Sequence, residues 1–216
     1  MTVDVKICGL KDAANVSAAL EAGADFIGLV FYPPSPRYVA PEAAARLADL
    51  ARGRTKIVAL VVDPDDALVA EIAAAVKPDL IQAHGIESPR RIAEIARLAG
   101  LGVIKAIKVR APEDVEAARA YRDVAEMILF DARAPETLEG ALPGGNGIAF
   151  DWTLLSRDAR PRRFMLSGGL DAGNVARAIF VTGAPIVDVS SGVEDRPGVK
   201  NPVLIRKFIE MAKAPG

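Results

Sequence analysis

Residues 80–109 read LIQAHGIESPRRIAEIARLAGLGVIKAIKV. Leu80–Ala83 is a short apolar run and Val103–Val109 a longer one, and neither alternates strictly between apolar and polar residues, as strands buried on both faces also do not. Between them Ser88 supplies a cap, Pro89 sits in the first turn, Ile92, Ile95, Ala96 and Ala99 share one face, and Gly100 is a stop. The spacing predicts a helix over Ser88–Gly100. Strand, amphipathic helix and strand in about 30 residues make a βαβ unit, whose two strands run parallel.

The same alternation extends in both directions. Further strands are expected at Val3–Cys8, Asp25–Phe31, Lys56–Val62, Met127–Asp131, Arg163–Ser167 and Ile186–Val189. Pro41–Arg52 repeats the helical design with Pro41, Leu47 and Ala51. Asp171 is placed to cap a segment carrying Val175, Ala178 and Ile179, and Asn201–Ala212 makes a last helix through Val203, Ile205, Phe208 and Ile209. No linker long enough to separate two domains interrupts the series, so one domain over 1–216 is expected. About eight βα units in 216 residues suit a closed (β/α)8 (TIM) barrel of the α/β class, with little room for insertions. The competing arrangement is an open doubly wound sheet. Against it stand the lack of a glycine-rich dinucleotide fingerprint after the first strand and of a GxxxxGK[ST] phosphate loop anywhere.

Composition narrows the function. A 51 % hydrophobic and 25 % charged chain is ordinary for a globular protein, and no run approaches the ~18 apolar residues of a membrane span. The 27 Lys plus Arg against 28 Asp plus Glu leave a net charge of -1, so neither nucleic acid nor a membrane surface is an expected partner. One cysteine and one histidine cannot assemble the usual zinc ligand sets, and neither a metal nor an organic cofactor is expected. MTVDVKICGL lacks the pattern of a secretion signal, and the expected location is cytoplasmic. An apolar helix stripe serves a barrel and a dimer face equally, so the chain is expected to be a monomer or a homodimer.

Barrel chemistry sits at the carboxyl ends of strands and in the loops that follow. Here those ends are polar: Cys8-Gly9 after the first, Arg37 behind three prolines after the second, Gln82 and His84 at the fourth, Asp131 closing the sixth. Cys8 is either a small buried hydrophobe or a base, and as a base it must ionise. Asp131, where an apolar strand ends, either ties down loop amides or acts as a general acid kept protonated by burial. The ends Ser167-Gly168-Gly169 and Asp188-Val189-Ser190-Ser191-Gly192 are the most specific signal, because glycines after the last two strands let backbone amides wrap a phosphate. Gly144-Gly145-Asn146-Gly147 has the position of a lid. Arg37 is either a solvated charge or a fork for a carboxylate.

Eight segments in order resemble the phosphoribosylanthranilate isomerase family: KICGL at 6–10, GLVFYPPSPRYV at 28–39, VALVVDP at 58–64, IQAHG at 81–85, FDA at 130–132, GGNGIAFDW at 144–152, LSGGL at 166–170 and DVSSGVE at 188–194. The resemblance covers essentially the whole chain. It implies a barrel that converts the small-molecule phosphosugar N-(5-phosphoribosyl)anthranilate into 1-(2-carboxyphenylamino)-1-deoxyribulose 5-phosphate, an Amadori rearrangement of tryptophan biosynthesis. It further implies Cys8 as general base and Asp131 as general acid. By the same resemblance Arg37 holds the anthranilate carboxylate, Gln82, His84 and Asp188 contact substrate, and Gly168, Gly169, Ser191 and Gly192 hold the phosphate.

The chain departs from the family pattern at Ala83, where QLHG has leucine, at Asn146, where GGTG or GGSG is usual, and at Asn201, where an acid is common. Pocket packing, lid behaviour and the last helix cap are the properties these changes touch. Two rival readings are kept. An indoleglycerol-phosphate synthase-like barrel would need a lysine acid, for which Lys105 and Lys108 are available, and a non-catalytic phosphate-binding module would need neither Cys8 nor Asp131. A ribulose-phosphate epimerase fits less well, since it wants a metal site.

Overall fold

The computed structural model describes residues 2–133, 144–145, 147, 149–155 and 160–214. In chain order the elements are β1 (Asp4–Cys8), α1 (Ala13–Glu21), β2 (Phe26–Val30), α2 (Pro41–Ala51), β3 (Lys56–Val61), α3 (Asp66–Ala75), β4 (Leu80–Ala83), α4 (Pro89–Ala99), β5 (Gly102–Val109), α5 (Pro112–Ala117), β6 (Met127–Ala132), β7 (Phe164–Leu166), α6 (Val175–Thr182), β8 (Ile186–Val189), β9 (Glu194–Arg196), β10 (Val199–Lys200) and α7 (Pro202–Lys213). The strands β1 to β8 pair in sequence order, all parallel, and β8 returns to β1 to close the barrel. The open doubly wound sheet is thereby excluded.

Local signals account for the helix ends. Ser88 Oγ accepts from the Arg91 amide, and Gly100 closes α4 in the left-handed conformation at φ 66°. Asn201, the departure at the last helix, is an effective cap: its Oδ1 accepts from the amides of Val203 and Leu204. One capping expectation needs correction. Asp171 accepts from Gly173 and Asn174 and so organises the turn before α6, while Asn174 occupies the cap position itself. The hairpin β9–β10 was not foreseen, because EDRPGVK reads locally as a charged turn.

Two apolar cores meet at the barrel wall. The larger fills the space between strands and helices and includes Val5, Ile7, Ile27, Leu29, Ile81, Ala83, Phe130 and Phe208. The smaller lies inside the barrel and is built from Phe26, Val58, Leu80, Ile104, Ala106, Met127, Leu129, Met165 and Ile186. Successive side chains of a strand point to opposite faces, so the same interior face carries Lys6 and Cys8 on β1, Gln82 beyond Leu80, Asp131 beyond Leu129, and Asp188 beyond Ile186. The interior is therefore apolar below and polar above. The strands look continuously apolar in sequence because both faces of their lower halves are buried. Ala83 belongs to the outer core, so its missing leucine side chain affects strand–helix packing and not the barrel interior.

Candidate active site

The polar end of the barrel opens into a cavity of about 770 Å³, its mouth included, a size suited to a small molecule. Cys8, Arg37, His84, Asp131 and Asp188 all line it. Gly168, Gly169 and Ser191 form the wall on the β7–β8 side, and Val30, Tyr32, Leu60 and Val62 form an apolar wall on the β2–β3 side. Gly144, Gly145 and Gly147 border the cavity, while Asn146 lies outside the described residues. Gly192 is not at the cavity wall. A Cβ there would collide with the Leu170 carbonyl, so this glycine lets the loops after β7 and β8 approach each other. Gly168, at φ 89°, needs its left-handed backbone, and a Cβ on it would lie 2.6 Å from the Ala132 amide nitrogen.

Cys8 ends β1, buried and free. Gly28 on β2 makes room for it, since a Cβ there would stand 2.7 Å from the sulfur. Burial pushes the thiol up from its ordinary value, while Lys6, and more weakly Lys200, pull it down. Lys6 is fully buried and pairs with Asp188 at 2.7 Å. Burial alone would lower its pKa, but the Asp188 carboxylate beside it opposes that and the net shift is upward. Lys6 thus stays cationic beneath Cys8. The other Asp188 oxygen accepts from Ser167 Oγ at 3.1 Å, so this carboxylate is tied down from β1 and β7.

Asp131 faces Cys8's cavity from β6. Its Oδ1 accepts from the Ala132 amide at 3.0 Å and its Oδ2 lies 3.1 Å from His84 Nε2. His84 Nδ1 lies 2.9 Å from Gln82 Nε2. Gln82 itself is fully buried and is not among the residues that line the cavity: as an interior residue of β4 it lies one step below the wall, with its side chain against His84.

Arg37 is not the solvated charge of an open loop. It is 5 % exposed, and Glu194 takes its Nε and Nη2 in a fork at 2.8 Å each. Nη2 also donates to the Gly145 carbonyl. Glu194 in turn accepts from Lys200 Nζ at 2.8 Å, which also donates to the Ser190 carbonyl. Burial lowers the Lys200 pKa from 10.5 to about 8, with Glu194 opposing the shift. Glu194 and Lys200 were missed because they stand on the hairpin β9–β10, 157 residues or more from Arg37 in the chain. The one available signal was the glutamate ending DVSSGVE.

Lys105 is buried against Glu87 Oε2 at 2.6 Å and the Gly85 carbonyl, and neither it nor Lys108 lines the cavity. The lysine that a synthase-like reading relied on is thus committed elsewhere. Among the described residues no three His, Cys, Asp or Glu side chains cluster to hold a metal ion, and no helix is long and apolar enough to cross a membrane.

Residues 5–211 match the family model described as N-(5'phosphoribosyl)anthranilate (PRA) isomerase. The chain belongs to the PRA isomerase family. A relative named N-(5'-phosphoribosyl)anthranilate isomerase from Parvibaculum lavamentivorans is 49 % identical over 213 residues, covering 99 % of each chain. The crystal structure of phosphoribosyl anthranilate isomerase from Thermotoga maritima superimposes with a TM-score of 0.87 at 38 % identity, over 99 % of this chain and 100 % of that one. Another PRA isomerase structure, 36 % identical with a TM-score of 0.84 over 99 % of this chain and 100 % of that one, holds reduced 1-(o-carboxyphenylamino)-1-deoxyribulose 5-phosphate. PRA isomerase membership extends over the strands that carry every cavity residue described above.

Proposed function

We infer that the cavity carries out the isomerisation of N-(5-phosphoribosyl)anthranilate to 1-(2-carboxyphenylamino)-1-deoxyribulose 5-phosphate, a step of tryptophan biosynthesis, within one barrel unit spanning 1–216. The observation that carries the site assignment is that Cys8 and Asp131 face one cavity from β1 and β6, with the glycine-rich ends of β7 and β8 to one side. The amides around Gly168, Gly169 and Ser191 are suited to the phosphate, and the apolar wall with Arg37 to the anthranilate ring and its carboxylate. The ribose then lies between the acid and the base. Asp131 gives a proton to the ribose ring oxygen as the C1–O bond opens to an iminium. Cys8, as thiolate, removes the C2 proton, and the resulting enolamine becomes the ketose. Asp188, with Lys6 on one oxygen and Ser167 on the other, contacts the sugar hydroxyls through the lone pairs that remain. A base that must be a free thiol suits a compartment that keeps thiols reduced, such as the cytoplasm. Every residue given a role comes from one chain, compatible with a monomer or a homodimer.

The test is NMR on freshly prepared substrate, following loss of the anomeric C1 proton and growth of the ketose carbonyl. Parent protein is expected to turn over, and Cys8→Ala and Asp131→Asn each to lose about 10²–10⁴-fold in kcat while still binding phosphate-bearing product analogues. Parental turnover in either variant would remove that residue's assigned role. Product with a closed indole ring would point to the synthase-like alternative, and phosphate binding without turnover to the binding module.

A further inference from the structure

Gln82 is a polar side chain at 0 % exposure inside the barrel, directly above Leu80 and paired in register with Ile104, both members of the apolar inner core. A buried amide that leaves a group unsatisfied typically costs ~1–3 kcal/mol. Here the carbonyl Oε1 has no hydrogen-bond partner among the described residues. Only the Nε2 end is engaged, at 2.9 Å from His84 Nδ1. A leucine or methionine would fill the same space without that cost, so the position is occupied for what the N–H donates.

The direction of the chain of hydrogen bonds follows from its far end. Once Asp131 has given up its proton its carboxylate only accepts, so His84 Nε2 must then carry a proton, and in the neutral ring Nδ1 is an acceptor. Gln82 Nε2 supplies the donor that this tautomer requires. Without it, and while Asp131 still carries its own proton, nothing distinguishes the two tautomers. In the alternative one, Nε2 is a bare lone pair 3.1 Å from Asp131 Oδ2 that competes with substrate for the acid's proton.

We propose that Gln82 is a positioning residue for the isomerase reaction: its amide N–H fixes the His84 tautomer, so that the imidazole donates to Asp131 and stabilises the carboxylate that forms as the acid protonates the ribose ring oxygen. The inference rests on Asp131 being the acid. Gln82 does not line the cavity, and its effect therefore falls on kcat and leaves KM nearly unchanged. The expected loss in Gln82→Leu is about 10–100-fold in kcat, the scale seen for partners that orient a functional histidine from behind.

His84 is the only histidine in the chain, so tag-free protein labelled with 15N-histidine reports one imidazole. In the parent the expected spectrum is that of a single tautomer protonated at Nε2. In Gln82→Leu the two nitrogens are expected to move toward averaged shifts as the tautomers mix. In Gln82→Glu, whose carboxylate can only accept, protonation at Nδ1 is expected, with kcat reduced as well. A parent ring protonated at Nδ1 alone overturns the inference, as does a Gln82→Leu protein that keeps the parental tautomer and kcat. Should Gln82→Leu fail to fold, the parent spectrum and the near-isosteric Gln82→Glu decide alone. Turnover retained in Asp131→Asn would remove the acid assignment itself, a failure distinguishable from that of the relay because the tautomer is read without catalysis.

Discussion

Cys8 and Lys200 illustrate how burial acts on single ionisable residues. The Cys8 thiol is raised by desolvation, so the free protein holds little thiolate at neutral pH. With thiolate as the base, kcat/KM is expected to keep climbing through the ordinary thiol range in a pH–rate profile; a plateau already reached below pH 7 would contradict that ordering. Lys200 is shifted the other way, to about 8 from 10.5. Between those values the unfolded chain binds more protons at this group than the folded one, so its contribution to stability grows as pH rises through that window and is lost as pH falls through 8. Urea titrations across the window are expected to show the parent gaining up to about 3 kcal/mol relative to Lys200→Met. A difference that does not change with pH would show that Lys200 titrates normally. Chemical type made Cys8 and Asp131 legible in the sequence, since a lone thiol and a carboxyl at strand ends are conspicuous. Arg37 was legible as a cation but not as one half of a buried fork with Glu194, because pairing partners so distant in the chain carry no local mark.

At the scale of the element, the helices with short-range punctuation were readable in advance. Ser88, Pro89 and Gly100 act within a few residues of where they stand, and α4 begins and ends as they dictate. Asn201 behaves in the same way: Asn201→Ala removes the acceptor for two amides of α7 and is expected to cost about 1 kcal/mol in urea unfolding with the m-value unchanged. Gly168 is a sterner case. Its φ of 89° and its closeness to β6 mean that Gly168→Ala is expected to cost ~1–3 kcal/mol and to weaken binding of a phosphate-bearing product analogue, measured by calorimetry. Unchanged affinity would argue against an amide cradle there. The hairpin β9–β10 was not readable. Asp195 and Arg196 face solvent, but Glu194 and Lys200 do not, and only packing against Arg37 and Ser190 gives those two a reason to be buried.

For the whole molecule, closure is the controlling feature. Once β8 pairs with β1, α7 lies beside α1 and α6 and seals the seam with Ile205, Phe208 and Ile209. Phe208 is completely buried there, and Phe208→Ala is expected to destabilise the protein by about 3–5 kcal/mol in equilibrium unfolding. A cost below 1 kcal/mol would mean that the seam repacks freely. What the sequence determined by itself were the eight barrel strands, the helices with clear punctuation and the chemical types at the strand ends, because hydrophobic periodicity, caps and glycine stops act over a few residues. The tertiary structure alone decided which charges meet. Lys6 lies on Asp188, Arg37 on Glu194, and Gln82 reaches Asp131 through His84, because burial in a closed barrel removes water as a partner and leaves each polar group only those neighbours that closure brings within reach.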